Sequence, residues 1–397
     1  MTAHEGFARG EAGDSAPQAG TPASSGPAGV LHVVQSGDRG GVQRHVLDLV
    51  RGLPECTAGV VTGTPGWLVD QLRRSAVPVT VVDLPRSLNP VGIWGAARQV
   101  SQVVQATRPA TVHAHGVFAL LACALRPLPA DLVYTPHGFQ WRDPSFPAWI
   151  RRLSRTVHRR YAPLATAVVA VSTLDAADAA TLPGLSRRVR HIPNGVPLPA
   201  IPSRTATTQT VGVATRLVAG KGLEELCRAV ARVPAARLAV AGTGPYGERL
   251  RLLAHEQLPG RADWLGWVDD LEPFFARLDV YVTLSRKEGL PYAVLDAMAR
   301  GLPVVASDIP AHRELVTPGL NGFLVSPGDA EGTGRCLEDL LGHPEQRRAM
   351  GAASAQRAQD AFSLAAMCQQ HRQLYADLWA VTDPAGQRAE ARRPVPR

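Results

Sequence analysis

Short apolar runs rich in β-branched residues alternate along the chain with longer amphipathic stretches. The first run, GVLHVVQS (29–36), predicts a strand, and the stretch 42–51 that follows it predicts a helix. Further strands are predicted by runs of the same character, at residues 57–63, 77–84, 111–115, 131–138 and 167–172. Strands that alternate with helices favour a parallel sheet that carries helices on both faces.

A proline-punctuated segment, VPLPAIPSRTATTQT (196–210), interrupts this alternation. Strand patterns then resume, at residues 211–217, 236–242, 279–285, 303–308 and 322–327. The sequence therefore predicts an α/β protein with Rossmann-like domains at 29–196 and 210–361, joined by a linker at 197–209. The two domains should face each other across a cleft, which is where doubly wound sheets bind their ligands.

The composition of the 397 residues narrows the class of protein. An apolar fraction of 45% and a charged fraction of 19% are those of a globular chain, whereas residues 1–28 and 383–397 are predicted to be flexible tails. Apolar runs stay well short of the roughly 18 residues that span a bilayer, and the N-terminus lacks the pattern of a signal peptide. Five widely spaced cysteines without a CxxC pair predict reduced thiols, so we expect a cytoplasmic location.

The net charge of +8 reflects a strong preference for arginine, since only Lys221 and Lys287 among the 42 basic residues are lysines. The arginines are scattered, which argues against nucleic-acid binding. One local cluster, at residues 148–160, places three arginines on one helix face: Arg151, Arg155 and Arg159. This cluster fits either a solvated face or peripheral contact with the inner face of an anionic membrane that presents a lipid-linked acceptor.

Two glycine-rich turns follow predicted strands. Gly40 and Gly41 open the first helix, where glycine allows a ligand to approach the backbone and the helix N-terminus offers N–H groups to an anion. GTGPYG (242–247) matches G-x-G-x-x-G, the fingerprint of a dinucleotide-binding oxidoreductase. The match lies in the second unit of its domain, and Pro245 removes one phosphate-facing N–H, so we favour a turn in which Gly244 lines the cleft.

A pair of cations lies in TRLVAGKGLEEL (215–226). Arg216 ends a predicted strand, and Lys221 lies at the start of the next helix. Two cations beside a helix N-terminus can hold a diphosphate and neutralise a leaving group without a metal, whereas the alternative is a solvated pair that flanks a turn. Lys221 precedes Gly222 rather than Ser or Thr, which excludes a Walker loop.

The segment SRKEGLPYAVLDAMARGLPVVASD (285–308) combines a carboxylate, a glycine, a helix start and another strand. Glu288 and Gly289 precede the helix, and nearby backbone N–H groups can face phosphate or sugar oxygens, namely those of Leu290, Tyr292 and Ala293. Asp296 follows Glu288 by eight residues, so both carboxylates would lean to one side if the segment were helical. Carboxylates beside phosphate-binding amides indicate a nucleotide-sugar site, whereas an ordinary acidic helix start explains Glu288 alone.

Three histidines end predicted strands. His113 and His115 share a strand face, where they are either metal ligands or simply hydrogen-bonded, and the sequence offers no matching carboxylate. His137 ends the fifth strand beside the predicted cleft, where a neutral imidazole either hydrogen-bonds a sugar or packs beneath the next helix. We therefore predict no metal site and count His137 among the candidate catalytic residues.

Several motifs together resemble the family 4 glycosyltransferases, which are retaining enzymes of the GT-B fold. In family order they are GGVQRHVLDL, TPHG, HIPNGV, TRLVAGKGLEEL, the GTGP turn, EGLPYAVLDAMARGLPVVASD and NGFLV, and they extend the resemblance over nearly all of residues 29–375. The resemblance implies two Rossmann-like domains across a cleft, and a C-terminal helix at about 362–381 that returns to the N-terminal domain.

The resemblance also implies roles for the matching residues. Arg216 and Lys221 would hold the donor diphosphate, and Glu288 would contact the transferred sugar. Further donor contacts are implied for three residues: the nucleotide ribose at Asp296, the donor phosphates at Gly41 and the reacting sugar at His137. The family usually has a second glutamate at position 296, so the shorter Asp296 puts donor affinity in question more than catalysis. Pro291 replaces a frequent glycine and removes an amide that could contact the sugar.

The predicted reaction is transfer of a sugar from a UDP-sugar or GDP-sugar to a hydroxyl acceptor in a cell-envelope glycan, a lipid or a small metabolite. The lack of a D-x-D triplet agrees with chemistry that needs no metal, and no other cofactor is predicted. Similarity to retaining members implies front-face transfer, in which the leaving phosphate accepts the proton of the acceptor. The alternatives are an NAD-dependent oxidoreductase that uses GTGPYG and a sugar-nucleotide-binding protein without catalytic activity.

Overall fold

The computed structural model describes residues 29–87, 89–143, 146–199 and 208–381. The predicted tails, and most of the predicted linker, lie outside these residues. Within them the chain forms two parallel β-sheets with flanking helices, which confirms the predicted pair of Rossmann-like domains.

The N-terminal domain is built on seven strands: β1 (Val30–Val34), β2 (Thr57–Thr62), β3 (Val79–Val81), β4 (Thr111–His115), β5 (Asp131–Thr135), β6 (Ala167–Ala170) and β7 (Val189–His191). They pair in parallel in the order β3-β2-β1-β4-β5-β6-β7, so the direction of winding reverses between β1 and β4, and a crevice opens at their carboxyl ends. β3 is shorter than the predicted strand 77–84, and β7 has no counterpart in the prediction. Both are sheet edges with exposed residues, where the apolar pattern is weak.

Six α-helices connect these strands: α1 (Gly41–Gly52), α2 (Trp67–Arg74), α3 (Pro90–Thr107), α4 (Val117–Ala124), α5 (Ala148–Tyr161) and α6 (Thr173–Ala180). Side-chain caps fix two of their starts: Asn89 accepts a hydrogen bond from the N–H of Val91 at α3, and Ser172 accepts one from Asp175 at α6. Buried faces of α3 and α4 pack on the sheet through side chains such as Val100.

The C-terminal domain has six parallel strands: β8 (Thr210–Ala214), β9 (Arg237–Ala241), β10 (Ala262–Gly266), β11 (Val280–Thr283), β12 (Val304–Ser307) and β13 (Gly322–Val325). Their order is β10-β9-β8-β11-β12-β13, with the reversal between β8 and β11. The sequence pattern did not predict β10, because this edge strand has no fully buried residue. Seven helices accompany the sheet: α7 (Leu223–Ala231), α8 (Gly247–Gln257), α9 (Glu272–Ala276), α10 (Tyr292–Ala299), α11 (Pro310–Arg313), α12 (Ala330–Gly342) and α13 (Pro344–Ala361).

The last helix, α14 (Leu364–Val381), leaves the C-terminal domain and packs on the N-terminal domain. Its Met367 and Tyr375 belong to the same buried cluster as Val30 of β1. The two chain crossings between the domains run side by side, because the Val196 N–H donates to the Phe362 carbonyl at 2.9 Å and the Leu364 N–H donates to the Val196 carbonyl at 2.8 Å.

Candidate active site

Lys221 and Glu288 meet at the carboxyl edge of the C-terminal sheet. The Lys221 ammonium donates a hydrogen bond to Glu288 Oε1 at 2.6 Å, and the two side chains are only 16% and 18% exposed. Lys221 lies in the turn between β8 and α7, and Glu288 lies in the segment after β11. The two residues meet because β8 and β11 are neighbours in the sheet. Gly222 allows this approach, since its φ is 67° and a Cβ there would lie 2.3 Å from the Leu284 carbonyl oxygen.

Arg216 follows β8 at the same edge. Its side chain is exposed, and within the described part of the chain it makes no hydrogen bond or ion pair. The glycine-rich turn fixes this segment, because the Leu217 N–H donates to the Thr243 carbonyl at 2.9 Å and a Cβ at Gly244 would lie 2.3 Å from the Leu217 carbonyl oxygen. Gly244 is therefore used for close packing against the chain beside Arg216.

The helix that carries Asp296 begins only after Glu288. α10 starts at Tyr292 with Pro291 as its N-cap, so Pro291 precedes the first turn and Glu288 lies outside the helix. Glu288 thus precedes the helix as predicted, and the condition under which helical spacing would turn Glu288 and Asp296 to the same side is not met. The two carboxylates instead bind different partners, which lie on different elements.

The start of α10 is held by the N-terminal domain. Asn194 Nδ2 donates to the Leu290 carbonyl at 2.8 Å, and the Tyr292 hydroxyl lies 3.2 Å from His45 Nδ1. The N–H groups of Tyr292 and Ala293 donate to no acceptor among the residues that the structure describes. They remain available to an anion, as the sequence predicts for a helix N-terminus.

Asp296 binds two arginines. Arg44 of α1 makes a bidentate ion pair with its carboxylate, one bond measuring 3.0 Å, and Arg300 adds a contact at 3.4 Å. The Arg44 guanidinium also lies 4.5 Å from the centre of the Tyr292 ring. Asp296 is only 5% exposed, so its charge needs a partner, and Arg44 of the opposite domain provides it. The sequence did not predict this contact.

Two turns of the N-terminal domain lie against this region. His137 follows β5, as predicted, with a φ of 54° that residues other than glycine rarely adopt. A Cβ at Gly289 would lie 3.6 Å from the His137 carbonyl oxygen, and a Cβ at Gly41 would lie 3.7 Å from the Tyr292 ring. His137 and Gly41 of the N-terminal domain thus lie against Gly289 and Tyr292 of the C-terminal domain.

Six of the twelve histidines cluster at this place, and all but the partly buried His137 are buried. They are hereafter the histidine cluster: His32, His45, His113, His115, His137 and His371. The ring nitrogens of His115 lie 3.1 Å from His32 and 3.1 Å from His137. Burial lowers the pKa of His32 and His137 to about 3, so these imidazoles are neutral at pH 7.

His113 has a hydrogen-bonding role within the histidine cluster. Its two ring nitrogens lie 2.8 Å from the Tyr375 hydroxyl and 2.7 Å from the Thr135 hydroxyl. Both nitrogens are therefore engaged, which favours the hydrogen-bonding interpretation of this strand-end residue over metal ligation.

The second lysine also joins the domains. Lys287 Nζ lies 3.1 Å from Asp143 Oδ2 and 3.4 Å from the Phe139 carbonyl. Asp175 of α6 lies nearby, where it accepts a hydrogen bond from the Gly138 N–H, while its Oδ2 is buried without a partner among the described residues. Burial raises the pKa of Asp175 to about 6, and no sequence motif marked this carboxyl group.

Arg39 makes a third contact between the domains. Its guanidinium lies 4.7 Å from the centre of the Trp67 ring and 4.6 Å from that of Trp267, and it pairs with Asp269. One arginine from the N-terminal domain is thus held between two indole rings, one from each domain.

The arginine-rich segment of the sequence forms α5 on the outer surface of the N-terminal domain. A shallow groove at its start is lined by Trp141 and by side chains of the helix: Ala148, Arg151, Arg152 and Arg155. Trp149 beside it is 66% exposed. In the described residues, none of the helices combines the length and the apolarity that crossing a bilayer requires.

Comparison with known proteins agrees with this architecture. The chain resembles the Anabaena protein Alr3699/HepE, solved in complex with UDP and glucose, with a TM-score of 0.75 and 22% identity over 87% of this chain and 99% of that one. Sucrose-phosphate synthase from Thermosynechococcus elongatus gives a TM-score of 0.75 and 20% identity over 89% of this chain and 100% of that one. The fold and the facing edges therefore define a GT-B protein.

Family models identify both halves of the chain. The model described as Glycosyltransferase Family 4 matches residues 39–199, and the model described as Glycosyl transferases group 1 matches residues 208–343. The chain belongs to the family 4 type of glycosyltransferases, as the sequence motifs predicted. This membership also favours the glycosyltransferase prediction over the NAD-dependent oxidoreductase.

Curated relatives match over part of their length. A lipopolysaccharide core biosynthesis glycosyltransferase, LpsE of Rhizobium meliloti, is 34% identical over 41% of this chain and 48% of its own length. A GDP-mannose-dependent monoacylated alpha-(1-6)-phosphatidylinositol monomannoside mannosyltransferase of Corynebacterium glutamicum is 32% identical over 41% of this chain and 49% of its own length. The chain thus spans about half the length of these relatives.

Proposed function

We propose that this protein is a retaining glycosyltransferase that transfers a sugar from a UDP-sugar or GDP-sugar to a hydroxyl acceptor of the cell envelope. The observation that carries the proposal is the Lys221–Glu288 pair, together with the open N-terminus of α10. Arg216 lies at the same sheet edge, and its side chain has no partner among the described residues. The cations and the backbone N–H groups at this edge match the diphosphate of a sugar nucleotide. The carboxylate matches the hydroxyls of its sugar. HepE, with bound UDP and glucose, supports the donor class.

The donor diphosphate would lie between Arg216, Lys221 and the first turn of α10. Cleavage of the bond between the sugar C1 and the phosphate oxygen leaves negative charge on the diphosphate. The Lys221 ammonium, which Glu288 already holds in place, would stabilise this charge together with the Arg216 guanidinium, without a metal ion. Glu288, which shares Lys221, would then accept hydrogen bonds from hydroxyls of the transferred sugar.

The nucleotide ribose would contact Asp296. Both of its oxygens accept hydrogen bonds from arginine, so ribose hydroxyls must use the remaining lone pairs or displace Arg44. The aspartate at position 296 would therefore affect donor affinity in two ways. Its side chain is shorter than that of the usual glutamate, and it is already paired with Arg44.

The acceptor would enter from the side of His137. Retention of configuration is consistent with front-face transfer, in which a phosphate oxygen of the leaving group takes the acceptor proton as the new glycosidic bond forms. Neutral His137 can orient the reacting hydroxyl, because burial keeps its pKa near 3 and the ring cannot serve as a cation at pH 7.

The enzyme would work at the cytoplasmic face of a membrane, with α5 against anionic lipid. Its arginines and the exposed Trp149 form one surface, and the relatives named above include a phosphatidylinositol mannoside transferase. A lipid-linked acceptor held by α5 would lie on the same domain as His137.

The test is release of UDP or GDP from a panel of sugar nucleotides in the presence of candidate envelope acceptors. We expect wild type to turn over one donor class, and Lys221→Ala to lower that rate by about a hundredfold. Arg313→Ala, which removes an exposed ion pair to Asp308, is the matched control and should leave the rate unchanged. Equal, negligible rates in wild type and Lys221→Ala, despite nucleotide binding, would favour the non-catalytic alternative.

A further inference from the structure

Three imidazoles of the histidine cluster converge from three separate elements. His45 lies on α1, His115 ends β4, and His137 lies in the turn after β5. One ring nitrogen of each lies within 4.8 Å of the corresponding nitrogens of the other two. We call these residues the imidazole trio.

The hydrogen bonds of His45 determine which of its nitrogens is free. Asn194 donates through Nδ2 to the Leu290 carbonyl, so its Oδ1 is the atom that accepts from His45 Nδ1 at 3.1 Å. His45 Nδ1 therefore carries the proton, and Nε2 carries a lone pair. That Nε2 is buried and has no hydrogen-bond partner among the described residues, which is costly unless something binds it.

The other two members are spaced for a shared ion. His115 Nδ1 lies 3.1 Å from His137 Nε2, close to the roughly 3.3 Å that separates two nitrogens on one tetrahedral Zn²⁺ with 2.0–2.1 Å bonds. His115 Nε2 lies 3.1 Å from His32 Nδ1, so it can donate its proton outward while Nδ1 points into the trio. An outer hydrogen bond of this kind orients a metal-binding histidine.

We propose that the imidazole trio binds one Zn²⁺ ion, or a similar late first-row divalent cation, with a fourth position open to water. The overlapping group His32, His113 and His115 fits a metal less well, because both nitrogens of His113 already bind Tyr375 and Thr135. The three ligands of the proposed site belong to the N-terminal domain, whereas the cations of the predicted diphosphate site belong to the C-terminal domain. The proposal differs from the prediction from sequence that the chain has no metal site.

The ion would inhibit sugar transfer, a consequence that rests on the proposed function. Zinc ligation through Nε2 of His137 would fix the ring and keep the proton on Nδ1, so that Nδ1 could no longer accept a hydrogen bond from the acceptor hydroxyl. The donor site keeps its own cations, so nucleotide affinity should not change. Metal binding itself is independent of whether the protein transfers a sugar.

Binding is tested on metal-free full-length protein titrated with Co²⁺ and then Zn²⁺. We expect one equivalent of Co²⁺ to give the visible absorption of a tetrahedral site and Zn²⁺ to displace it. Affinity should fall at least tenfold in His45→Gln and in His115→Gln, and should be unchanged in His343→Gln, which alters an exposed histidine. Equal affinity in all four proteins, or no tetrahedral spectrum, would overturn the proposal.

A second measurement on wild type covers the case in which a variant fails to fold. Long-range ¹H–¹⁵N spectra of the twelve imidazoles should show three side chains that shift with one equivalent of Zn²⁺ and return with a chelator. A different set of histidines, or none, would refute the site. In a nucleotide-release assay, Zn²⁺ should lower the rate reversibly. If the protein releases no nucleotide but still gives the tetrahedral Co²⁺ absorption, the proposed function is rejected and the metal site is not.

Discussion

The ammonium of Lys221 lies 2.6 Å from Oε1 of Glu288, although 66 residues separate the two positions along the chain. Each charge balances the other in a largely buried setting, so neither is left uncompensated before a donor arrives. A bound diphosphate would bring two negative groups to the same ammonium. In the proposed function, the pair would therefore couple the binding of phosphate to the position of the Glu288 carboxylate.

Glu288→Gln should separate donor binding from sugar transfer. Removal of the carboxylate frees Lys221 for phosphate, so we expect UDP or GDP to bind as tightly as in wild type or a few-fold tighter. Turnover should fall by about a hundredfold, because the orienting charge is lost. Calorimetry and nucleotide release measure the two effects. The control is Glu225→Gln, which removes a neighbouring ion pair with the exposed Arg286. Weaker nucleotide binding in Glu288→Gln would contradict this account.

Arg44→Ala should destabilise the protein, because it leaves the buried Asp296 with Arg300 alone. We expect the free energy of unfolding to drop by about 2–3 kcal/mol. The double variant Arg44→Ala/Asp296→Asn should recover part of this loss, because it no longer buries an excess charge. Urea denaturation of the two single variants and the double variant measures the coupling, and strictly additive losses would argue against a direct ion pair.

Asp175→Asn should stabilise the protein in a pH-dependent way. The folded pKa of about 6 lies above the ordinary value of 3.8, so the folded state binds the extra proton between these values and loses the associated stability as pH rises through 6. The variant should match wild type near pH 4 and exceed it by up to about 3 kcal/mol above pH 7. Asp178→Asn, which breaks the ion pair with Arg142, should instead destabilise the protein at pH 7. A gain for Asp175→Asn that does not depend on pH would refute this explanation.

Gly244→Ala should displace the segment that carries Arg216. The new Cβ would lie 2.3 Å from the Leu217 carbonyl oxygen, and overpacking of this kind costs about 1–3 kcal/mol. We expect a lower melting temperature and about tenfold weaker binding of UDP or GDP, since Arg216 loses its position. Gly342→Ala is the control, because no atom lies within 4 Å of its Cβ position. Unchanged nucleotide affinity in Gly244→Ala would separate Arg216 from the donor site.

Reversal of charge on α5 should weaken attachment to anionic vesicles. Replacement of Arg155 and Arg159 by glutamate removes two cations that each contribute about 1 kcal/mol at such a surface, so sedimentation with vesicles should fall at least tenfold. The same replacement at Arg335 and Arg348, on helices of the C-terminal domain, serves as the control. An equal effect at both places would indicate non-specific attraction instead of docking through α5.

The sequence predicted those site residues that lie at the ends of strong apolar strands. Arg216 and Glu288 follow β8 and β11, which are neighbours in any sheet of this winding, so pattern and motif together brought them to one edge. His137 was placed in the same way, by the end of β5. These predictions depend on the regularity of parallel sheets, which fixes where strand ends lie.

Contacts between the domains could not be predicted in this way. Arg44 lies 252 residues from Asp296, and its position on a helix gave no sign that it would cross the cleft. His32 and His45 resembled ordinary strand and helix residues, so only His113 and His115 attracted attention as a pair. The relative placement of two separately folded sheets decides these contacts, and periodicity within one segment carries no information about it.

The paired crossings at Val196 and Leu364 set the way in which the two sheets can part. A single connecting segment would let the domains rotate in any direction. Two segments joined by mutual hydrogen bonds should resist twisting, so we expect the domains to bend about one axis. Opening should therefore separate Arg39, Arg44 and Lys287 from their partners together. If a substrate enters and a product leaves by this opening, each event would break three charged contacts in one concerted movement.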